Sequence, residues 1–239
     1  MAKEFPNLCS KGNLEEVQTA LKAGVDVNST DHEGRTGLFW ALTKRHNSLV
    51  KLLLGSPGIG INATESHSRM TTVHATVPHL YNGQTENHEG LVLLLACPGL
   101  GGTVNQPDVY GWTPLWIAVK EGALECVQLL LNDPRVDPNI RSTPAVWPPD
   151  SSIPDGELDL TPLMYVVKRS TDAAKLVLKL LANPRVDPNI KDRHDWGSSP
   201  LMHAVKENKR DLVELLLADG RSDLNTGDRY ERRDEDLAR

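Results

Sequence analysis

The sequence predicts an all-α chain, a solenoid of stacked helix-turn-helix units with projecting finger loops, and three observations lead there. Asn132 to Arg141 read NDPRVDPNIR and Ala182 to Lys191 read ANPRVDPNIK, each after a leucine-rich run. Self-similarity at a spacing of tens of residues marks an array whose units bury their apolar faces only against their neighbours. Apolar residues also recur at helical spacing between residues that start helices and residues that break them. Finally, only 5% of the chain is aromatic, with two phenylalanines. That supply suits thin stacked helices of small and aliphatic residues better than one large globular interior.

Composition narrows the rest. A hydrophobic fraction of 39% and a charged fraction of 24% permit a core and argue against wholesale disorder. A net charge of −6 and a pI near 5.8 exclude nucleic acid as the main ligand, because phosphate binding requires a basic face. The three cysteines, Cys9, Cys97 and Cys126, are odd in number, far apart and without metal spacing, so neither a disulfide framework nor a zinc site is expected. Residues 1–20 lack the apolar core of a signal peptide, and the longest apolar run, Leu91 to Cys97, is too short to span a bilayer. The expectation is a soluble intracellular monomer in the cytoplasm, with the nucleus left open, no cofactor and no membrane insertion.

Asp108 to Arg141 shows how one unit is built. Thr113 can cap a helix through its hydroxyl, and Pro114 suits the first helical position, where its missing donor costs nothing. Leu115, Ala118 and Val119 share one face until Gly122 breaks the run. Leu124, Val127, Leu130 and Leu131 then form the stripe of a second helix, which the prolines of Asn132 to Asn139 terminate. Leu130 is expected inside the stack.

Asp108, Gly111, the Thr113–Pro114–Leu115 step, Ala118, Gly122, the leucine run and the closing Val-Asp-Pro-Asn together resemble an ankyrin repeat. The pattern extends over nearly the whole chain, with repeats at 4–30, 31–64, 65–107, 108–141, 156–191 and 192–226. Glu4 to Lys11 reads as a degenerate capping helix. The second unit departs from the pattern at Gly37, where proline is usual. The third is the poorest match, held by Thr71, Val73, His74, Leu94, Leu95, Val104 and Asn105. The fifth starts at Thr161, Pro162 and Leu163 with two extra residues near its helix turn, and the sixth at Ser199, Pro200 and Leu201. Residues 227–239 resemble the first helix of a seventh unit, read either as a frayed cap or as the edge of a longer protein. The resemblance implies an ankyrin-repeat solenoid in one domain, with inner helices on a concave face and fingers beside them.

Individuality then has to lie where the pattern fails. Residues 142–155, extending to Leu158, form a proline-rich insertion, in which Trp147 either folds back on the fingers or meets a partner. The third unit has an enlarged inner turn, Pro78 to Glu89, with His67, His74, His79 and His88 around it. Their spacings of seven, five and nine residues match no zinc pattern, and no cysteine or helix-facing carboxylate completes a set in the sequence. His74 falls where the ankyrin pattern often carries a structural histidine. The family's usual contact positions map onto His32, Glu33, Arg35 and Lys44, then Tyr110, Trp112, Lys120 and Glu121. Lys168 and Arg169 follow in the fifth unit, and Asp195, Trp196, Lys206 and Glu207 in the sixth. Exposed Tyr, Trp and Arg are enriched among binding hot spots, so Trp112 and Trp196 are expected to anchor a partner, whereas Trp40 and Trp116 are expected to pack within the stack.

No phosphate-binding loop or nucleophile elbow is present in the sequence. The leading expectation is a non-enzymatic adaptor that holds a protein or peptide, with an acidic stretch facing Lys120, Lys168, Arg169 and Lys206. The alternatives are a regulatory or targeting segment of a larger enzyme or channel, and a substrate of asparaginyl hydroxylation at Asn28 and Asn105, which the ankyrin resemblance brings in.

Overall fold

A computed structural model describes residues 4–78, 86–143, 158–169, 173–193 and 197–225. Among them are eleven α-helices: α1 (Phe5–Lys11), α2 (Leu14–Lys22), α3 (Gly37–Thr43), α4 (Asn47–Leu54), α5 (His88–Leu95), α6 (Pro114–Lys120), α7 (Leu124–Asn132), α8 (Pro162–Arg169), α9 (Ala173–Leu181), α10 (Pro200–Lys206) and α11 (Arg210–Ala218). Two isolated bridges, Thr30–Thr36 and Thr64–Thr71, are the extended pairings among the described residues.

The inner helices begin as their sequences predict. The Thr36, Thr113, Thr161 and Ser199 hydroxyls accept from the amides of Phe39, Trp116, Met164 and Met202 at 3.2 to 3.3 Å. Each therefore satisfies one of the orphan donors of its helix. Leu115, Ala118 and Val119 on α6, and Leu130 on α7, are buried. Inner helices pack on inner ones and outer on outer: α1 meets α3, α6 meets α8 and α8 meets α10, while α4, α5, α7, α9 and α11 form the second layer in that order.

Gly37 has a physical reason. A Cβ there would lie 2.6 Å from Cys9 Sγ and 3.0 Å from Phe5 Cε1, so the close seating of α1 on α3 admits no side chain. Phe5 and Cys9 seat α1 against α3 and are fully buried.

The third unit departs most. Its inner helix is reduced to a single 3₁₀ turn, His74–Thr76, and a longer 3₁₀ segment, Pro98–Asn105, follows α5. His74 fastens the turn: the Thr71 amide donates to Nδ1 at 3.0 Å, and Nε2 lies 3.0 Å from the Trp112 carbonyl of the next unit.

The duplicated segments stitch units together. The Asn28 side chain donates to the Gly58 carbonyl at 2.8 Å and accepts from the Gly60 amide at 2.7 Å. Asn105, Asn139 and Asn189 repeat this pattern with Arg135 and Asp137, Arg185 and Asp187, and Arg221 and Asp223. Arg135, Arg185 and Arg221 reach back to carbonyls at the end of the preceding outer helix. Arg185, for instance, donates to Leu131 O at 2.6 Å and to Asp133 O at 3.0 Å. A guanidinium at a helix C-terminus satisfies orphan carbonyls and complements the helix dipole. The repeated decapeptide is thus the inter-unit fastener.

Candidate functional site

The inner face of the fourth and fifth units is a stack of aromatic rings. Tyr110 lies 5.0 Å from Trp112 at an interplanar angle of 30°. Trp112 lies parallel to Trp116 at 5.1 Å and 5°, and Trp116 meets Tyr165 of α8 at 4.7 Å. Lys120 Nζ sits 4.0 Å from the Trp112 ring centroid and 5.6 Å from that of Trp116. Offset rings and a cation over them are mutually attractive.

This corrects one expectation. Trp112 is 2% exposed and is not a solvent-facing anchor. The reason is the helix capped by Thr113: its first turn brings the Trp116 ring parallel to that of Trp112, and both rings lose water together. Trp116 packs within the stack as expected, its indole N–H donating to the Leu160 carbonyl at 3.2 Å. Trp40 is only half-buried, its indole donating to Asp31 Oδ2 at 2.8 Å. Trp147, Asp195 and Trp196 lie outside the described residues, as do His79, most of the 142–155 insertion and residues 227–239.

The remaining predicted contact residues divide between the fingers and the ends of the inner helices. Arg35 pairs with Glu33, and its guanidinium lies 5.1 Å from the Trp40 ring. Lys44 is exposed at the end of α3, 5.8 Å from the same ring. Half-buried Glu121 follows α6, and exposed Glu207 follows α10. Lys120, Lys168 and Lys206 occupy one equivalent position, each seven residues beyond its capping hydroxyl at Thr113, Thr161 or Ser199. Arg169 is exposed beside Lys168. Lys206 Nζ donates to Ser198 Oγ at 2.5 Å. Register relative to the capping hydroxyl places these lysines alike.

Sequence reading missed the contrast between the acids that open the fingers. Burial opposes ionisation of Asp31, but hydrogen bonds from the Trp40 indole and from the Arg35 and Glu33 amides hold its carboxyl below the usual range. At Asp108, burial dominates and pushes the carboxyl up to about 7, against amide bonds from Trp112 and Tyr110. Ile117 stands where Trp40 stands relative to Asp31, and Asp108 Oδ2 accepts no hydrogen bond among the described residues. In the sixth unit the equivalent carboxylate, Asp192, meets the His203 ring at 2.5 Å. Burial also pushes the Cys9 and Cys126 thiols up to about 12, which leaves neither as a nucleophile near neutral pH.

One grouping was not visible in the spacing of the histidines. Glu86, His88 and Cys126 bring their donor atoms within 4.8 Å of one another, so a cysteine and a carboxylate stand beside one histidine of the third unit. Cys126 is 38 residues from His88 along the chain, and only the packing of α7 against α5 makes them neighbours.

Helix pairs stacked in series, each sharing its core with the next, define a repeat solenoid of the kind that serves as a protein–protein interaction module. Three ankyrin repeat models match: a single-repeat model at residues 110–143, a model of three consecutive repeats at 149–228 and a model of multiple repeats at 6–54. The chain belongs to the ankyrin repeat family. Residues 55–109, which hold the unusual third unit, fall outside these three matches.

Among curated relatives, a probable E3 ubiquitin-protein ligase, XBOS32, of Oryza sativa subsp. japonica is 29% identical over 52% of this chain and 29% of its own length. The putative ankyrin repeat protein YahD of Escherichia coli K12 is 32% identical over 52% of this chain and 59% of its own. The chain thus spans less than two thirds of each. The crystal structure of the ankyrin repeat domain of Bcl-3 superposes with a TM-score of 0.74 at 22% identity, covering 98% of this chain and 93% of that one. An ankyrin repeat domain from Acinetobacter baumannii AYE gives 0.69 at 19% identity, covering 90% and 97%. These structural likenesses concern the fold alone.

No helix among the described residues is long and apolar enough to cross a membrane.

Proposed function

We propose that the chain is a non-enzymatic adaptor that holds an acidic segment of a partner protein along its inner-helix face and fingers. The observation that carries this reading is the row formed by Lys120, Lys168 and Lys206 at one equivalent position of three inner helices, extended by Arg169 and, at the other end, by Lys44. The aromatic stack beneath Lys120 is a rigid floor that positions the ammonium before binding, which reduces the ordering cost of association. Trp112 acts here as support and not as a contact. Arg35 is oriented by Glu33 and Trp40, and Tyr110 presents the half-buried edge of the stack at the finger. Glu121 and Glu207, adjacent to the lysines, select against partners with acidic groups beyond the row.

The test is fluorescence anisotropy with a labelled glutamate-rich peptide. The triple variant Lys120→Glu/Lys168→Glu/Lys206→Glu is expected to bind at least about tenfold more weakly, and wild-type affinity is expected to fall as salt rises. Equal affinity of the two proteins at low salt would remove the basic row from the reading.

A second reading, a targeting segment within a larger assembly, draws on the relatives. In the rice ligase the matching stretch is 29% of that protein. A further domain encoded in the same reading frame of the full transcript supports it, and its absence there counts against it. Hydroxylation at Asn28 or Asn105 has less support, since both carboxamides are engaged between units. Intact mass after incubation with an asparaginyl hydroxylase tests it.

A further inference from the structure

We propose that Glu86, His88 and Cys126 form a zinc site that clamps the third unit to the fourth. The three donor atoms lie within 4.8 Å of one another. Four ligands around zinc, at the usual bond lengths of about 2.0 to 2.3 Å, stand roughly 3.6 Å apart. Zinc therefore needs shifts of about one ångström, which part the His88 and Glu86 donors and draw the set toward Cys126, and rotation of those two side chains can supply them. Both are free enough to make it: the Glu86 and His88 side chains are 36% and 43% exposed.

The backbone between them is held firmly. Asn87, 1% exposed, donates from its amide to Thr76 O and from Nδ2 to Leu42 O, both at 2.8 Å. Its Oδ1 accepts from the Gly90 amide at 2.9 Å and caps α5. Asn87 has φ −120° and ψ 75°, an open conformation that lets its two neighbours project to the same side. His88 Nε2 and a Glu86 carboxylate oxygen now hydrogen-bond each other directly, closer than two ligands of one ion can stand, so zinc binding exchanges that bond for two bonds to the metal. Cys126 meets them from α7, fully buried.

The donor set suits the ion. One sulfur, one imidazole and one carboxylate form a borderline-soft set that leaves the fourth position of the tetrahedron to a water. A thiolate and a carboxylate neutralise the double charge of zinc, so the bound ion adds no net charge at the edge of the core. On binding, a sulfur–zinc bond forms as the Cys126 thiol proton passes to solvent. The consequence is mechanical. The third unit has one 3₁₀ turn where the others have an inner helix, and a metal tie from its outer helix to α7 restores a cross-link between units.

The experiment uses the full chain stripped with chelator, then titrated with Zn²⁺ by calorimetry and with Co²⁺ by absorption. The expected result is one ion per chain, a thiolate-to-cobalt band in the near ultraviolet, and a higher melting temperature with zinc. Cys126→Ser loses the band, and His88→Ala or Glu86→Gln weakens zinc binding at least about tenfold; Cys97→Ser retains both. If Cys126→Ser fails to fold, the two variants at half-exposed positions still decide the matter. Absence of stoichiometric binding, unchanged zinc affinity in His88→Ala and Glu86→Gln, or loss of the band in Cys97→Ser would overturn the proposal.

Discussion

Replacing Trp112 separates two ideas about this surface. If the ring were an exposed anchor, Trp112→Ala would weaken partner binding and leave the fold intact. Its place in the structure predicts the opposite order of effects. The side chain is 2% exposed, and truncating a buried tryptophan costs about 3 to 5 kcal/mol in lost transfer and cavity energy. The ring is also stacked on Tyr110 at 5.0 Å and on Trp116 at 5.1 Å, each stack adding about 0.5 to 1.5 kcal/mol. Lys120 at 4.0 Å contributes roughly 0.5 to 2 kcal/mol more. These contributions overlap, so the expected loss is about 5 kcal/mol, comparable with the whole stability of an ordinary domain. Urea denaturation followed by far-ultraviolet circular dichroism measures it, with Trp112→Phe as a control that keeps a ring and loses about 2 kcal/mol. Lys120→Met should cost less in the Trp112→Ala background than in the wild type, by about 1 kcal/mol. A loss under about 1 kcal/mol for Trp112→Ala, with an unchanged denaturant slope, would refute the buried-stack reasoning.

Two further predictions concern stability. Arg185→Ala is expected to cost about 2 to 3 kcal/mol, because its fork serves carbonyls left open at the end of α7, and Arg185→Lys recovers less than half of that since an ammonium cannot span them; equal stability of the Lys and Arg proteins in guanidinium melts would dismiss the fastener role. Asp108 has a raised folded-state pKa of about 7 against an ordinary 3.8. Below about pH 4 it is neutral in both states. Between about 4 and about 7 only the unfolded chain ionises it, so stability falls as pH rises, and above that range the loss stays constant. The stability of Asp108→Asn relative to wild type should therefore be about 2 to 4 kcal/mol more favourable at pH 8 than at pH 4. An identical difference at both pH values would show that Asp108 is not held neutral by burial.

Much of the fold was legible because it is local. Thr113 and Pro114 start a helix, Gly122 ends it, and the leucines of α7 fall on one stripe whatever lies beyond. The lysine row was legible for the same reason, since register relative to a capping hydroxyl fixes it. Gly37 was visible as a departure, but its cause, the approach of Cys9 and Phe5, comes from another helix. The third unit was recognised as irregular, yet nothing in Pro78 to Glu89 told that one 3₁₀ turn would replace the inner helix.

By itself, the sequence determined the helix starts, the helix pairs, the duplicated fastener segments and the equivalent placing of three lysines, all of which depend on residues within a few turns of one another. Only the tertiary structure decided that Trp112 is covered, that Asp108 lacks the indole partner Asp31 enjoys, and that Cys126 joins His88 and Glu86. Each of those outcomes depends on which side chain of one unit faces which of the next. That pairing is set by stacking distance and packing, and no periodicity along the chain encodes it.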